Sequence, residues 1–147
     1  MKVIERRNLV IDYDLPFCRL VTYEYYSSIY PGITKENFPT KEKGRKRYSI
    51  LLINFEHWAM TTSKVVNDIK YEGLLPLGIY GLLTYSATRP NIGERIIVAP
   101  VSGCGSYNED YPYIFMGNSS KLNLYLVKMT FCVDQWKQKT IFLAYEP

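Results

Sequence analysis

Residues 73–103, GLLPLGIYGLLTYSATRPNIGERIIVAPVSG, constrain the fold more than any other stretch. Ile79, Leu82, Leu83, Ser86 and Ala87 recur at helical spacing. Pro76 suits a first helical turn, where a missing N–H costs nothing. Arg89-Pro90 ends the helix, because the residue before a proline is pushed out of the α region. Gly78 and Gly81 oppose the helix by about 1 kcal/mol each relative to alanine. They require compensating packing, or a backbone that lies close against a neighbour. Asn91-Ile92-Gly93 then reads as a turn. Ile96, Ile97, Val98 and Ala99 form a continuous apolar run, expected of a strand covered on both faces and closed by Pro100 and Gly103.

Residues 48–55, YSILLINF, are the strongest strand signal. The run lacks alternation, so it is expected at the centre of a sheet with both faces covered. Thr61, Thr62 and Ser63 offer an N-cap, Val65, Val66 and Ile69 line one helical face, and Gly73 is a natural residue just past the helix end. Residues 113–116 make a short strand, and Leu122, Leu124 and Leu126 alternate with Asn123, Tyr125 and Val127 as a half-buried one. TIFLAY at 140–145 is the last strand. It should pair with residues 48–55 or with a strand nearer the N-terminus, since its backbone groups need partners. Thr34 to Asn37 look like one capped helical turn stopped by Phe38-Pro39. Residues 1–32 are an extension of uncertain structure, with short strand candidates at 3–4, 9–11 and 19–26. The expectation is one α+β domain over 1–147, with its core at 33–147. Its sheet is mainly antiparallel, and two short helices fall between the first and second core strands, in the order β-α-α-β-β-β-β.

With 147 residues and 47% hydrophobic content, the chain is long enough for a real core. No apolar run approaches the roughly 18 residues of a membrane helix. The opening MKVIERRNLVIDYD places charges where a signal peptide needs an apolar stretch, so the expected location is cytoplasmic. Cys18, Cys104 and Cys132 are an odd number without CxxC spacing, which predicts buried or half-buried reduced thiols, no disulfide and no zinc. The net charge of +4 does not by itself imply nucleic acid. The count of 14 tyrosines is the unusual feature, because tyrosine combines an apolar body with a polar tip and is enriched at interfaces. Tyr23, Tyr25, Tyr26 and Tyr30 form a cluster, read either as a stacking platform or as packing over the edge of the core.

The order and spacing of several pieces resemble an uncharacterised family of bacterial proteins of about 150 residues. The pieces are ITKENFP at 33–39, the strand YSILLINF, and Gly73, Leu74, Pro76, Leu82, Leu83 and Pro90 in their spacing. The I-VAPVSG that follows and the ending with Trp136 and FLAYEP also match. The resemblance spans 33–147 and implies no activity. The chain departs from it at Leu77-Gly78-Ile79-Tyr80 and at Glu146-Pro147. The element order also looks like a C-type-lectin-like fold, in which first and last strands pair and a loop-rich half carries the site. That likeness concerns the fold alone.

No phosphate-binding glycine loop, nucleophile elbow, HExxH or EF-hand loop occurs, and no cofactor or metal is expected. Asn108-Glu109-Asp110 offers oxygen ligands, too few for calcium. The leading expectation is a non-enzymatic binding module directed at a protein. Its site is placed on the loops at 102–111 and 134–136, with Ser102, Tyr107, Asn108, Asp110, Tyr111 and Trp136 as ligand-binding residues. One alternative is a nucleic-acid-associated protein using KEKGRKR, that is Lys41, Lys43, Arg45, Lys46 and Arg47; the same run also reads as a solvated loop that blunts a strand edge. The other alternative is an enzyme of unknown class built on His57 or Cys104.

Overall fold

The computed structural model describes residues 1–55, 61–117, 121–128 and 140–147. In chain order its elements are β1 (Lys2–Asp12), α1 (Phe17–Leu20), β2 (Tyr26–Ile29), β3 (Arg45–Asn54), α2 (Thr62–Tyr71), β4 (Leu75–Pro76), α3 (Ile79–Ala87), β5 (Ile96–Val98), β6 (Asp110–Met116), β7 (Leu122–Lys128) and β8 (Thr140–Tyr145). A single 3-10 turn at Gly105–Tyr107 precedes β6. All eight strands join one sheet in the order β1-β3-β8-β5-β6-β7-β2, with β4 pairing β8 beside that path. The architecture is α+β and the sheet is mainly antiparallel; β5–β8 and β2–β7 are its parallel pairs.

As the sequence predicts, β8 pairs with β3, antiparallel, from Ile50 opposite Tyr145 to Asn54 opposite Ile141. Residues of β3 alternate between two cores, which is why its sequence shows no alternation. Ile50 and Leu52 pack with Leu82 and Leu83 of α3 on one face. Leu51 and Ile53 pack with Val65 and Ile69 of α2 on the other. Each such side chain removed from water contributes about 1.5–3 kcal/mol. The α2 caps also follow the prediction. The Thr61 side chain accepts from the Lys64 N–H, and Gly73 takes φ +78°, the left-handed conformation that ends a helix.

Helix α3 is buried almost all round, and its two glycines are explained by contact rather than propensity. Gly78 is the N-cap. A Cβ on Gly81 would lie 2.2 Å from Cγ of buried Leu77, so the backbone there packs directly on a side chain. Pro76 does not open this helix. It belongs to β4, opposite Ala144, and the next residue, Leu77, donates its N–H to the Leu143 carbonyl.

Other expectations are corrected. Within residues 1–32, whose structure the sequence leaves uncertain, the strand candidates at 3–4 and 9–11 are parts of one strand: β1 is an eleven-residue edge strand paired with β3 from Lys2 opposite Asn54 to Asp12 opposite Arg45. Its charges hid it. Arg7 donates to Glu5 at 2.7 Å within the strand and to Thr88 at 3.1 Å, and lies 5.3 Å from the Tyr85 ring centroid, so its charge is held by one local partner and two from the end of α3. Strand β2 is fastened to β7 in part by Ser27, whose hydroxyl donates to Asn123 Oδ1 at 2.9 Å. The tyrosines around it divide: Tyr26 is core, Tyr25 half-buried, Tyr23 and Tyr30 exposed. Helix α1 and β4 add to the predicted order. Cys18 and Cys104 are free but exposed, not buried, and Cys132 lies outside the described residues. Among the described residues no helix is long and apolar enough to cross a membrane.

Candidate functional site

Four tyrosines far apart in sequence converge where β1 ends, β3 enters the sheet, α3 begins and β8 ends. Tyr13 follows β1 and is held there by its N–H donating to the Gly44 carbonyl at 2.9 Å. Tyr48 lies on β3, and Tyr145 lies diagonally from it across the β3–β8 ladder, so both project from one face. Tyr80 sits in the first turn of α3. Together they line a cavity of about 220 Å³ whose apolar wall includes Leu77, Ile79 and Val101. A wider depression of about 700 Å³ shares Tyr13, Pro39, Thr40, Glu42 and Tyr80 with it, and continues past Asp14, Lys35, Glu36 and Lys43.

The rings stand in mutual contact at steep angles. Tyr13 and Tyr48 are 6.4 Å apart at 78°, and their hydroxyls hydrogen-bond at 2.8 Å. Tyr48 and Tyr145 are 4.9 Å apart at 77°; Tyr13 and Tyr80 are 5.4 Å apart at 45°. Burial, reinforced by the Tyr48 hydrogen bond, holds the Tyr13 phenol far above its ordinary range. Burial raises Tyr80, and burial with the neighbouring Tyr48 and Glu42 raises Tyr145. At physiological pH these groups are therefore neutral aromatic surface with hydroxyl tips. At the rim, Lys46 donates to Glu42, and that hydrogen bond raises its own pKa.

The predicted site residues separate. Ser102 lines the tyrosine cavity. Tyr107 stands behind it, its ring 6.1 Å from the Phe38 ring that forms part of the lining. Tyr107 is also locked over Gly32, where a Cβ would meet the ring at 2.6 Å. Asn108 is exposed. Asp110 and Tyr111 are not on a loop: both are buried in β6, and Tyr111 belongs to the α2-side core. The strand starts early despite Pro112, because β5 stops at Val98. The side of Pro112 that lacks an N–H faces past that end, and its carbonyl accepts from Ala99. Trp136 and His57 lie outside the described residues.

The basic run is part turn and part strand. Arg45 to Arg47 belong to β3 and pair with β1 on one side; β8 joins β3 only from Ile50, so at this end of β3 the described strand partner is β1 alone. Arg45 contacts Asp12 at 3.3 Å and Lys46 is bound to Glu42, while Lys41, Lys43 and Arg47 are exposed. Cys104 donates its thiol to the Glu36 carbonyl at 3.2 Å. Among the described residues no three of His, Cys, Asp and Glu converge as metal ligands.

Sequence reasoning missed Tyr13, Tyr48, Tyr80 and Tyr145 as a set. The excess of tyrosine was the available signal, and it carries no positional information. Compared with protein-family models, curated proteins and solved structures, the chain finds no match, so its chemistry is read from this geometry alone.

Proposed function

We propose that the protein is a non-enzymatic binding module directed at a protein partner, and that its ligand site is the tyrosine-lined groove. The observation that carries this reading is the convergence of Tyr13, Tyr48, Tyr80 and Tyr145 on one cavity that opens into a longer depression. Tyrosine supplies large, rigid contact area with hydroxyls for orientation, which is why it dominates binding hot spots. A deep aromatic pocket with an open continuation suits an extended segment anchored by one side chain, as in other aromatic-lined peptide grooves. Ser102 keeps a role here as a polar group on the cavity wall. The C-type-lectin-like reading of the fold draws its support from the β8–β3 pairing alone; the helix placement differs from it, and β1 stands outside that plan.

Selection from a displayed random-peptide library tests the function. Enriched peptides should bind the wild-type chain and lose at least tenfold in affinity against Tyr48→Ala and Tyr80→Ala, with folding checked by circular dichroism. Selection of no peptide, or of peptides indifferent to both substitutions, would overturn it.

A further inference from the structure

We propose that the tyrosine cavity takes the methylated ammonium of a lysine side chain on the partner, with Glu42 as its counter-charge. The inference rests on the groove being the ligand site. Tyr13, Tyr48, Tyr80 and Tyr145 all line this one space, and contacting rings among them stand at 78°, 77° and 45° to one another rather than in a flat stack. An aromatic face attracts a cation within about 6 Å of its centroid, and assembled rings are the usual receptor for alkylated ammonium. Glu42 lines both the cavity and the depression, so its carboxylate stands beside the rings from either approach.

An ammonium is already held at this rim. Lys46 donates to Glu42, the carboxylate that lines the cavity. Its side chain stays about half exposed, and an exposed pair of this kind is weak, so a better-fitting cation displaces it. The size of the space favours alkylation. A bare ammonium resembles one water, which occupies about 30 Å³ of liquid. The cavity is several times larger, and Leu77, Ile79 and Val101 offer methyl groups contact rather than hydration. The partial positive charge at the start of α3 falls off within a turn and favours the Glu42 end for the cation. The wider depression, with Asp14, Glu36 and Glu42 against Lys35 and Lys43, accommodates the flanking chain.

The test is a calorimetric titration of the whole chain with four probes. They are a short peptide carrying trimethyl-lysine, the same peptide with unmodified lysine, the same peptide with the neutral isostere in which carbon replaces the nitrogen, and choline. The trimethyl-lysine peptide should bind at least tenfold tighter than the neutral isostere and the unmodified peptide. Glu42→Gln should erase most of the advantage over the isostere. Lys46→Gln should tighten binding several-fold. Tyr48→Phe, which keeps the ring, should bind within a few-fold of wild type, guarding against a Tyr48→Ala variant that fails to fold. Equal binding of methylated and neutral peptides would overturn the cation while leaving the groove as a peptide site. Binding of choline without the peptide would overturn the lysine. Binding of no probe, together with failure of the library selection, would overturn both readings.

Discussion

The hydroxyls of Tyr13 and Tyr48 meet at 2.8 Å and tie the end of edge strand β1 to inner strand β3. Either oxygen serves as donor, and the bond is half-buried, so each phenylalanine substitution removes the same interaction. A double-mutant cycle of Tyr13→Phe and Tyr48→Phe, followed by urea denaturation, should return a coupling of about 1 kcal/mol, the net worth of such a bond. A coupling near zero would mean that water replaces the partner without loss.

Tyr26 makes alkaline pH destabilising. Its phenol is 1% exposed and burial pushes it up to about 12, from 10.0. The Ser86 hydroxyl stands close enough to restrain that rise, yet its contact with the Tyr26 oxygen falls short of a hydrogen bond, and its own proton goes to the Leu82 carbonyl. Above pH 10 the unfolded chain loses the Tyr26 proton while the folded chain keeps it. The unfolded state therefore binds fewer protons, and stability falls as pH rises from 10 to 12, by about 2 kcal/mol for this residue. Tyr26→Phe should remove that share of the slope and leave the share of Tyr13 and the other raised phenols. It should also gain on the order of 1 kcal/mol at pH 7, because it removes a buried hydroxyl without a partner. Denaturant midpoints from pH 7 to 11.5 check both outcomes.

Gly81→Ala should destabilise even though alanine is the better helix former. The new methyl collides with Leu77, itself 3% exposed and unable to swing into solvent. Overpacking costs about 1–3 kcal/mol, against about 1 kcal/mol gained from propensity. Gly78→Ala is the control: its methyl would meet Val101 at 3.7 Å, ordinary contact, and its thermal midpoint should move far less.

Leu143 is fully buried in the strand between β3 and β5, whereas Val10 is 47% exposed on β1. Leu143→Ala should cost about 2–5 kcal/mol, and Val10→Ala within about 0.5 kcal/mol of nothing. Chemical denaturation of the two variants separates a sheet centred on β8 from one in which β8 is peripheral.

The elements that were legible are those whose local chemistry and tertiary setting agree. Strand β3, buried on both faces from Ile50 to Ile53, shows an unbroken apolar run there; α2 carries a Thr61 cap and a Gly73 stop; β8 is apolar from Ile141 to Ala144. Strand β1 was obscured because Glu5, Arg6 and Arg7 interrupt its pattern, and their compensation comes from Thr88, Tyr85 and Glu146, far along the chain. The start of β6 reads as loop because residues 102–111 are polar, yet Asp110 and Tyr111 pair with Lys128 and Val127 of β7. The groove was beyond reach for a related reason: Tyr13, Tyr48, Tyr80 and Tyr145 share no spacing, and become neighbours only through the β3–β8 register and the placing of α3.

That register also sets the order in which the molecule can come into being. Strand β8 stands between β3 and β5, and without it the sheet divides into a two-stranded ribbon and a separate group. During synthesis, β1, β3 and the helices that cover β3 emerge before Thr140–Tyr145, so the backbone edge of β3 from Ile50 to Asn54 waits unpaired until β8 arrives. The nascent chain is thus exposed to edge-to-edge association until residues 140–145 have emerged, and ribosome stalling before residue 140 should release a species that chaperones hold and proteases remove.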